Sequence, residues 1–562
     1  MTSPAPVSDI AANRRPRGPA LLQLGLTLGM AALLVAVTLT IRQPPPPAIA
    51  EFAPQAVEQI KDSPKEQASQ FGSGTGAGDC PPGAACGAGD GNGTGAGGAL
   101  ATTTTAPPTT VPTPGPASVK RCVGNPPRQI EDPQSPPCVA FWDESKGNGG
   151  ATSPGVTKDT ITIAAPDQGS TGFYDAMTTF FNNRFQFYGR QIKLVKPSSN
   201  GTAGADSALQ LGAFAALTSY SDPPYYRELV HNKIIGVYRT TDFSDSELAA
   251  SSPYLWGYTM SFTQIESNLA DWACRRLVGT KAAHAGTSDS ADMGTRDREF
   301  GIFLELATPD STLTADILKS GIEQCGGKVH QTFVYQRDSN AVRDRNEVAQ
   351  LKADGATTLF CLCVSPNLVS LQSAAESQSY QPEWVITSYP QLVQGDGYNG
   401  VQMNRTFGVS FGPMDRVAED HPQLWAVREG NPSLDDPNNH TSLIGSNDIH
   451  YRGFLLLASG IQMAGPNLTP ETFKAGLQRT TFPNPDHPIM AGKVGFQGDY
   501  SMTNDGVEFW FGLRERGPYS DNQNGPTFCW VDHGARHAKG TWPKGGDPFF
   551  QQPCDSGSRS VS

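Results

Sequence analysis

From Gly155 onward, short runs of alternating apolar and polar residues take turns with longer runs in which apolar residues recur every three or four positions. VTKDTITIAAP predicts a strand. Met177, Phe181, Phe185 and Tyr188 then predict a helix that stops at Gly189. QIKLV reads as a strand, the Ala-rich stretch from Ala203 to Leu217 as a helix, and KIIGVY as a strand. Thr263 and Glu266 form a capping-box pattern opening a helix whose inner face is Ile265, Leu269 and Trp272. EFGIFLEL, KVHQTFVY, TTLFCLCV and EWVIT are strands, separated by helices over Leu313–Cys325, up to Gly355 and from Pro366. Asn447 to Ala464 is a strongly apolar helix closed by Gly465. Thr469-Pro470 starts another, with Leu468 and Phe473 placed as a hydrophobic staple. Such alternation over 155–514 predicts an α/β fold of mostly parallel sheets with helices on both faces. That length exceeds one core, so two lobes are expected. The tail, 515–562, has no periodicity and reads as loop.

Upstream the texture is different. Residues 43–120 hold the Pro44–Pro47 run and a Gly/Ala/Thr/Pro-rich stretch. Between Gly72 and Val119 there is no aromatic residue, and Asp79 and Asp90 are the only charges. Too little apolar surface is present to offset the entropy of ordering, so this segment is expected to be a flexible tether. As a coil its ends would lie roughly 50 Å apart. The pattern DGNGTG within it resembles a calcium loop, but Ala101 stands where the closing Glu belongs. The G-x-G repeats follow no strand and open no helix, so they make no phosphate cradle.

Ala20 to Ile41 carries no charge and would reach about 33 Å as a helix, enough to span a bilayer core. Arg14, Arg15 and Arg17 precede it and Arg42 follows. The positive-inside rule keeps 1–19 in the cytoplasm and exports the rest. The expectation is a single-pass signal anchor in the cell membrane, with the alternative that cleavage at Ala48-Ile49-Ala50 releases a secreted chain. No second stretch is long and apolar enough to span, which excludes a polytopic membrane protein.

Composition adds two points. A net charge of −12 over 562 residues argues against nucleic acid as a partner, because phosphate neutralisation needs clustered Lys and Arg. Ten cysteines suit an oxidising compartment. The candidate disulfide residues are Cys80 and Cys86 in the tether, Cys122 and Cys138 in a stapled segment at 121–154, Cys274 and Cys325 near two helix ends, and Cys529 and Cys554 in the tail. Cys361 and Cys363 lie in a strand and read as buried thiols. No cysteine or histidine cluster has the spacing of a structural metal site, so neither metal nor cofactor is expected.

The order of elements resembles the leucine/isoleucine/valine-binding protein family, the substrate-binding proteins of ABC importers. GVTKDTITIAAPDQGSTG opens the domain as family members open. YGRQIKLV before an Ala-rich helix matches their second strand and helix. REFGIFLE through ADILKSGIEQCGGKVHQTFVYQ, VAQLKADGATTLFCLCVSPN and SAAESQSYQPEWVITS follows their second lobe. This resemblance covers about two thirds of the chain, and its specificity lies in the ordered series rather than in any one motif. It implies a type I periplasmic-binding-protein clamshell, a small solute held between lobes, an ABC permease as partner, and no catalysis. Laid on the family's pattern, Ser219, Thr240 and Asp242 fall at the first lobe's ligand positions. Ser365, Ser388 and Tyr389 fall where the second lobe closes, and Tyr174, Tyr220 and Arg239 fall at the rim. Two departures stand out. Asp242 replaces a hydroxyl near the ligand's polar head, favouring a cation, and Ser388-Tyr389 replaces the acidic residue that would fix an ammonium. The implied solute is therefore a small polar compound such as an amino acid or amide. It need not be a branched-chain amino acid.

Two other readings compete. A surface-anchored sensor or interaction module would use the same clamshell without transport. A serine hydrolase is suggested by Gly408-Val409-Ser410-Phe411-Gly412, which matches G-x-S-x-G, but Pro413 follows where a helix should begin. Cys529, His533 and His537 have a zinc-like spacing, but Gly534 interrupts any helix there.

Overall fold

The computed structural model describes residues 122–555 apart from 125–126, 133, 167–171, 219–221, 310, 339, 388–399, 413–421, 435–446, 481, 483–495, 497, 514 and 516–526. All of these belong to the unit Ala106–Ser562. The anchor at 20–41, the tether, Cys80, Cys86, Ser219, Tyr220, Ser388 and Tyr389 lie outside the described residues. Among the described residues no helix is long and apolar enough to cross a membrane.

The chain first builds β1 (Thr160–Ala164), α1 (Phe173–Arg184), β2 (Gln191–Val195), α2 (Gly201–Gln210), β3 (Ala215–Leu217), α3 (Pro223–His231), β4 (Ile235–Tyr238), α4 (Asp245–Ala250) and β5 (Leu255–Gly257). These strands form a wholly parallel sheet in the order β2-β1-β3-β4-β5. Two expectations shift here. α1 ends four residues earlier than the apolar spacing suggests, because Phe185 is extended and Tyr188 takes a left-handed conformation. The Ala-rich stretch is not one helix: Gly212, at φ +68°, ends the turn after α2, and Ala215–Leu217 becomes a buried strand.

The chain then crosses to a second lobe. It makes α5 (Phe262–Arg276), the short hairpin of β6 (Thr287–Ser288) and β7 (Ala291–Asp292), then β8 (Phe300–Leu306), α6 (Asp316–Gln324), β9 (Val329–Gln336), α7 (Ala341–Asp354), β10 (Thr358–Leu362), α8 (Ser365–Ser377), β11 (Glu383–Ile386), α9 (Gly400–Met403) and β12 (Thr406–Ser410). The cap of α5 is Ser261, reciprocated by Gln264, rather than the Thr263/Glu266 pair that the sequence suggests. Next come α10 (Pro422–Gly430), α11 (Asn447–Ala464) and α12 (Pro470–Arg479), which return to the first lobe. A third crossing leads to β13 (Asp505–Gly512), β14 (Thr527–Trp530) and β15 (Arg536–Ala538). The second sheet runs β14-β13-β12-β11-β10-β8-β9, with β15 also paired to β13. Its β8–β12 strands are parallel, and β13, β14 and β15 add antiparallel ladders. The tail thus contributes two short strands where the sequence reads as loop.

Both parallel sets share one winding: the second strand in sequence lies outside the first, and the next three follow on its other side. Strand residues alternate between two cores in each lobe, as period-2 geometry requires. In β8, Ile302 and Leu304 pack with Trp272 and Ile322, whereas Phe303 joins Val348 and Leu371 on the opposite face. In β1, Ile161 and Ile163 pack with Phe181 and Phe454, whereas Ala164 faces Tyr225 and Leu229. Helices therefore cover both faces of each sheet. The segment before β1 is held to the first lobe by Ile130 in its core and by Arg190, whose guanidinium donates to Asn148 O and Gly150 O.

Disulfides join Cys122 to Cys138, Cys274 to Cys325 and Cys529 to Cys554, as the sequence suggests. The structure corrects one reading: Cys361 and Cys363 are bonded to each other. Residues two apart on a strand point to one face, which brings these sulfurs together where β10 gives way to α8.

Candidate functional site

A cavity of ≈ 160 Å³ opens between the lobes. On the second-lobe side it is walled by residues just after β8 (Ala307, Thr308) and by Leu362–Val364 at the end of β10. These are neighbouring strands at which the winding reverses direction, the switch point where open α/β sheets hold ligands. On the first-lobe side the wall is Arg239, Thr241 and Asp242 after β4, with Thr259 and Met260 after β5. The corresponding loops after β1 and β3 fall outside the described residues.

Polar residues lie at the two sides. Burial alone would lower the Arg239 guanidinium, but neighbouring Tyr238 and Asp242 hold it above its ordinary value. Tyr238 Oη donates to Asp242 Oδ2 at 2.5 Å. In the second lobe, Glu305 at the end of β8 is buried and its carboxylate accepts three hydrogen bonds. Oε1 accepts from Arg337, and Oε2 accepts from Val364 N at 3.0 Å and Asn367 Nδ2 at 2.5 Å. Between these lies an apolar floor of Met260, Phe262, Ile265, Leu313, Leu362 and Phe411. The Oγ1 atoms of Thr259 and Thr308, both lining residues, are buried without a hydrogen-bond partner.

The lobes meet at a hinge beside the cavity. Ser261 caps α5, and its Oγ donates to Asp245 Oδ1 at 2.5 Å. Gln264 Nε2 donates to Asp499 Oδ2 at 3.0 Å. Burial pushes the Asp499 carboxyl up to about 6; the Ser501 N–H and Gln264 pull it back in part, while Asp245 adds to the rise.

The sequence-derived residues divide. Asp242 and Arg239 line the cavity. Thr240 between them is fully buried: its Oγ1 donates to Thr259 O at 2.7 Å, and it packs against Gly257, where an added Cβ would come within 2.0 Å of Oγ1. Thr241 takes the lining position instead. Tyr174 sits in the first-lobe core between α1 and α11, its Oη 2.6 Å from His450 Nδ1, and is not among the lining residues. Ser365 opens α8, beside lining residue Val364. The Asp242 charge, which the sequence reading gives to a cation, is instead engaged by Tyr238 and Arg239. Glu305, Arg337, Thr259, Thr308 and the apolar floor were missed. The signal available was position: all but Phe262, Ile265 and Leu313 directly follow, end or lie near the end of a strand.

The rival chemistry finds no assembly. Ser410 is fully buried within β12 opposite Val507, and its Oγ accepts from Gly412 N at 3.2 Å. Cys529 is in a disulfide, His533 pairs with Asp555, and His537 packs on Trp542. Among the described residues no group of three or more His, Cys, Asp or Glu is placed to hold a metal.

No protein-family model matches the chain. No curated protein matches it either. Among solved structures, the chain is similar to the leucine-, isoleucine-, valine-, threonine- and alanine-binding protein from Brucella ovis in its closed conformation, at 11% identity and TM-score 0.48, over 70% of this chain and 99% of that one. A second is an ABC transporter substrate-binding protein from Aeropyrum pernix, at 12% identity and TM-score 0.46, over 68% and 96%. A third is a fatty acid ABC transporter substrate-binding protein from Thermomonospora curvata, at 14% identity and TM-score 0.44, over 67% and 92%. The solved structures this chain resembles are type I periplasmic binding proteins of the leucine/isoleucine/valine-binding, ABC substrate-binding kind.

Proposed function

We propose that this protein is an extracytoplasmic solute-binding clamshell, tethered to the cell membrane by 20–41 through the 43–120 linker, that delivers a small molecule to an ABC permease. One observation carries the binding role: a cavity walled by both lobes lies at the carboxyl ends of their strands, beside three crossings of the chain. A ligand held there touches both walls and so favours the closed arrangement over the open one; only that difference in affinity can drive closure. The transport role rests on the family resemblance and on the N-terminal sequence pattern.

The test is a thermal-shift screen of amino acids, polyamines, amides and small aromatics against the exported part, 43–562. At least one compound is expected to raise the melting temperature, and Ala307→Trp, which fills the cavity from its wall, should remove the shift. Asp242→Ala should remove it as well. A shift that survives Ala307→Trp would place the ligand elsewhere and defeat the cleft as the binding site.

A further inference from the structure

Resting on the cleft reading, we infer that the ligand is an uncharged amphipathic molecule rather than a zwitterionic amino acid, an organic anion or an amine. The inference comes from the charge and hydrogen-bond state of the walls. Four charged side chains line the cavity among the described residues, two of each sign. Both acids are already engaged: Asp242 accepts from Tyr238 Oη next to the Arg239 guanidinium, and Glu305 accepts from Arg337, Val364 N and Asn367. The arginines are matched in turn by those same acids. A ligand with net charge, or with two separated charges, would lose its hydration and find partners already engaged, which is the costly case for burying ions.

What the described residues of the walls leave unmet is neutral. Thr259 Oγ1 and Thr308 Oγ1, from opposite lobes, are buried without partners. Both oxygens lie just beneath the lining, and a hydroxyl both donates and accepts, so a rotation of either side chain would offer a neutral partner to an amide, alcohol or ester head. The apolar floor suits a hydrocarbon body. The volume of ≈ 160 Å³ is close to that of an apolar cavity of about 150 Å³ that admits benzene, which sets the body at a small ring or a branched chain.

The test uses four probes sharing one branched body and differing only in the head: isovaleramide (neutral), isovalerate (anion), isopentylamine (cation) and leucine (zwitterion). Binding is measured by calorimetry on the parent, on Ala307→Trp, and on Thr259→Val and Thr308→Val, which keep side-chain shape and remove the hydroxyl. Isovaleramide should bind at least tenfold more tightly than each charged relative, lose binding in Ala307→Trp, and weaken several-fold in each Thr→Val variant. If a charged member binds as tightly and Ala307→Trp removes it, the neutral-ligand inference is overturned while the cleft reading stands. Undiminished isovaleramide binding in both Thr→Val variants overturns the assigned head contacts. If none of the four binds while the wider screen yields a cleft ligand, the ligand class is wrong. If that screen yields none either, the cleft reading falls with it.

Discussion

Gly257 and Thr240 are locked together where the first lobe presents its wall to the cavity. An alanine at 257 would place Cβ 2.0 Å from Thr240 Oγ1, 2.4 Å from Cγ2 and 2.7 Å from Cβ. No rotamer of Thr240 relieves the last of these, so the loop itself must move. Overpacking a filled interior costs about 1–3 kcal/mol, and displacing the buried Thr240–Thr259 hydrogen bond adds about 1 kcal/mol. Gly257→Ala should therefore destabilise the first lobe by about 2–4 kcal/mol and displace Arg239 and Asp242. The assay is guanidinium unfolding followed by fluorescence of Trp256, which is fully buried in the first-lobe core. Adding Thr240→Gly removes the clashing atoms, so the double variant should recover part of the loss, a coupling expected of residues in contact. A single variant within about 0.5 kcal/mol of the parent, or a double variant less stable than both singles combined, would refute the packing argument.

Two further outcomes follow from the fold. The Cys274–Cys325 bridge closes a loop with a sequence separation of 51. Chain-entropy reasoning gives it about 4 kcal/mol, so Cys274→Ser/Cys325→Ser should lower second-lobe stability by about that amount in denaturant titration. A loss under about 1 kcal/mol would refute the chain-entropy estimate for this bridge. The hinge carboxyl of Asp499 is raised in the folded state, so between its unfolded value near 4 and about 6 the native protein holds more protons than the unfolded chain. Its contribution is fully present below the unfolded value and is lost as pH rises through about 6. Asp499→Asn should flatten that fall and be the more stable form at pH 7, by at most about 3 kcal/mol and less where water screens the site. An unchanged slope in stability against pH would remove Asp499 as its source.

Long elements were legible because their periodicity survives in the residues themselves. β8, α5 and α11 each show it over seven or more positions. Short ones were not: Ala-Ala-Leu in β3 carries helix propensity, and only pairing with β1 and β4 makes it a strand. At the site, charge and hydroxyl chemistry pointed to the loop after β4 but not to its orientation. Thr240 and Thr241 are adjacent and chemically identical, and the glycine that decides which one turns inward is sixteen positions away. Met260, Leu362 and Phe411 look like ordinary core residues in sequence, since nothing local marks an apolar side chain as lining a void. Glu305 likewise reads as one polar residue in an apolar strand, and its partners come from two other elements.

The return of α11 to the first lobe has a temporal consequence. Ile161, Ile163, Ile235 and Val237 are covered on one face by Tyr451, Phe454 and Leu457, which are synthesised some three hundred residues after β1. At roughly 5–20 residues per second, that sheet face waits about 15–60 s for the α11 share of its cover, α1 alone being made at once. The second lobe's parallel strands meet α5–α8 within the same stretch of chain, but its cores too are completed late, by β13, β14 and Trp542. A nascent chain of this design carries a long-lived sticky surface, and its production should depend on whatever holds that surface apart until the last third has emerged.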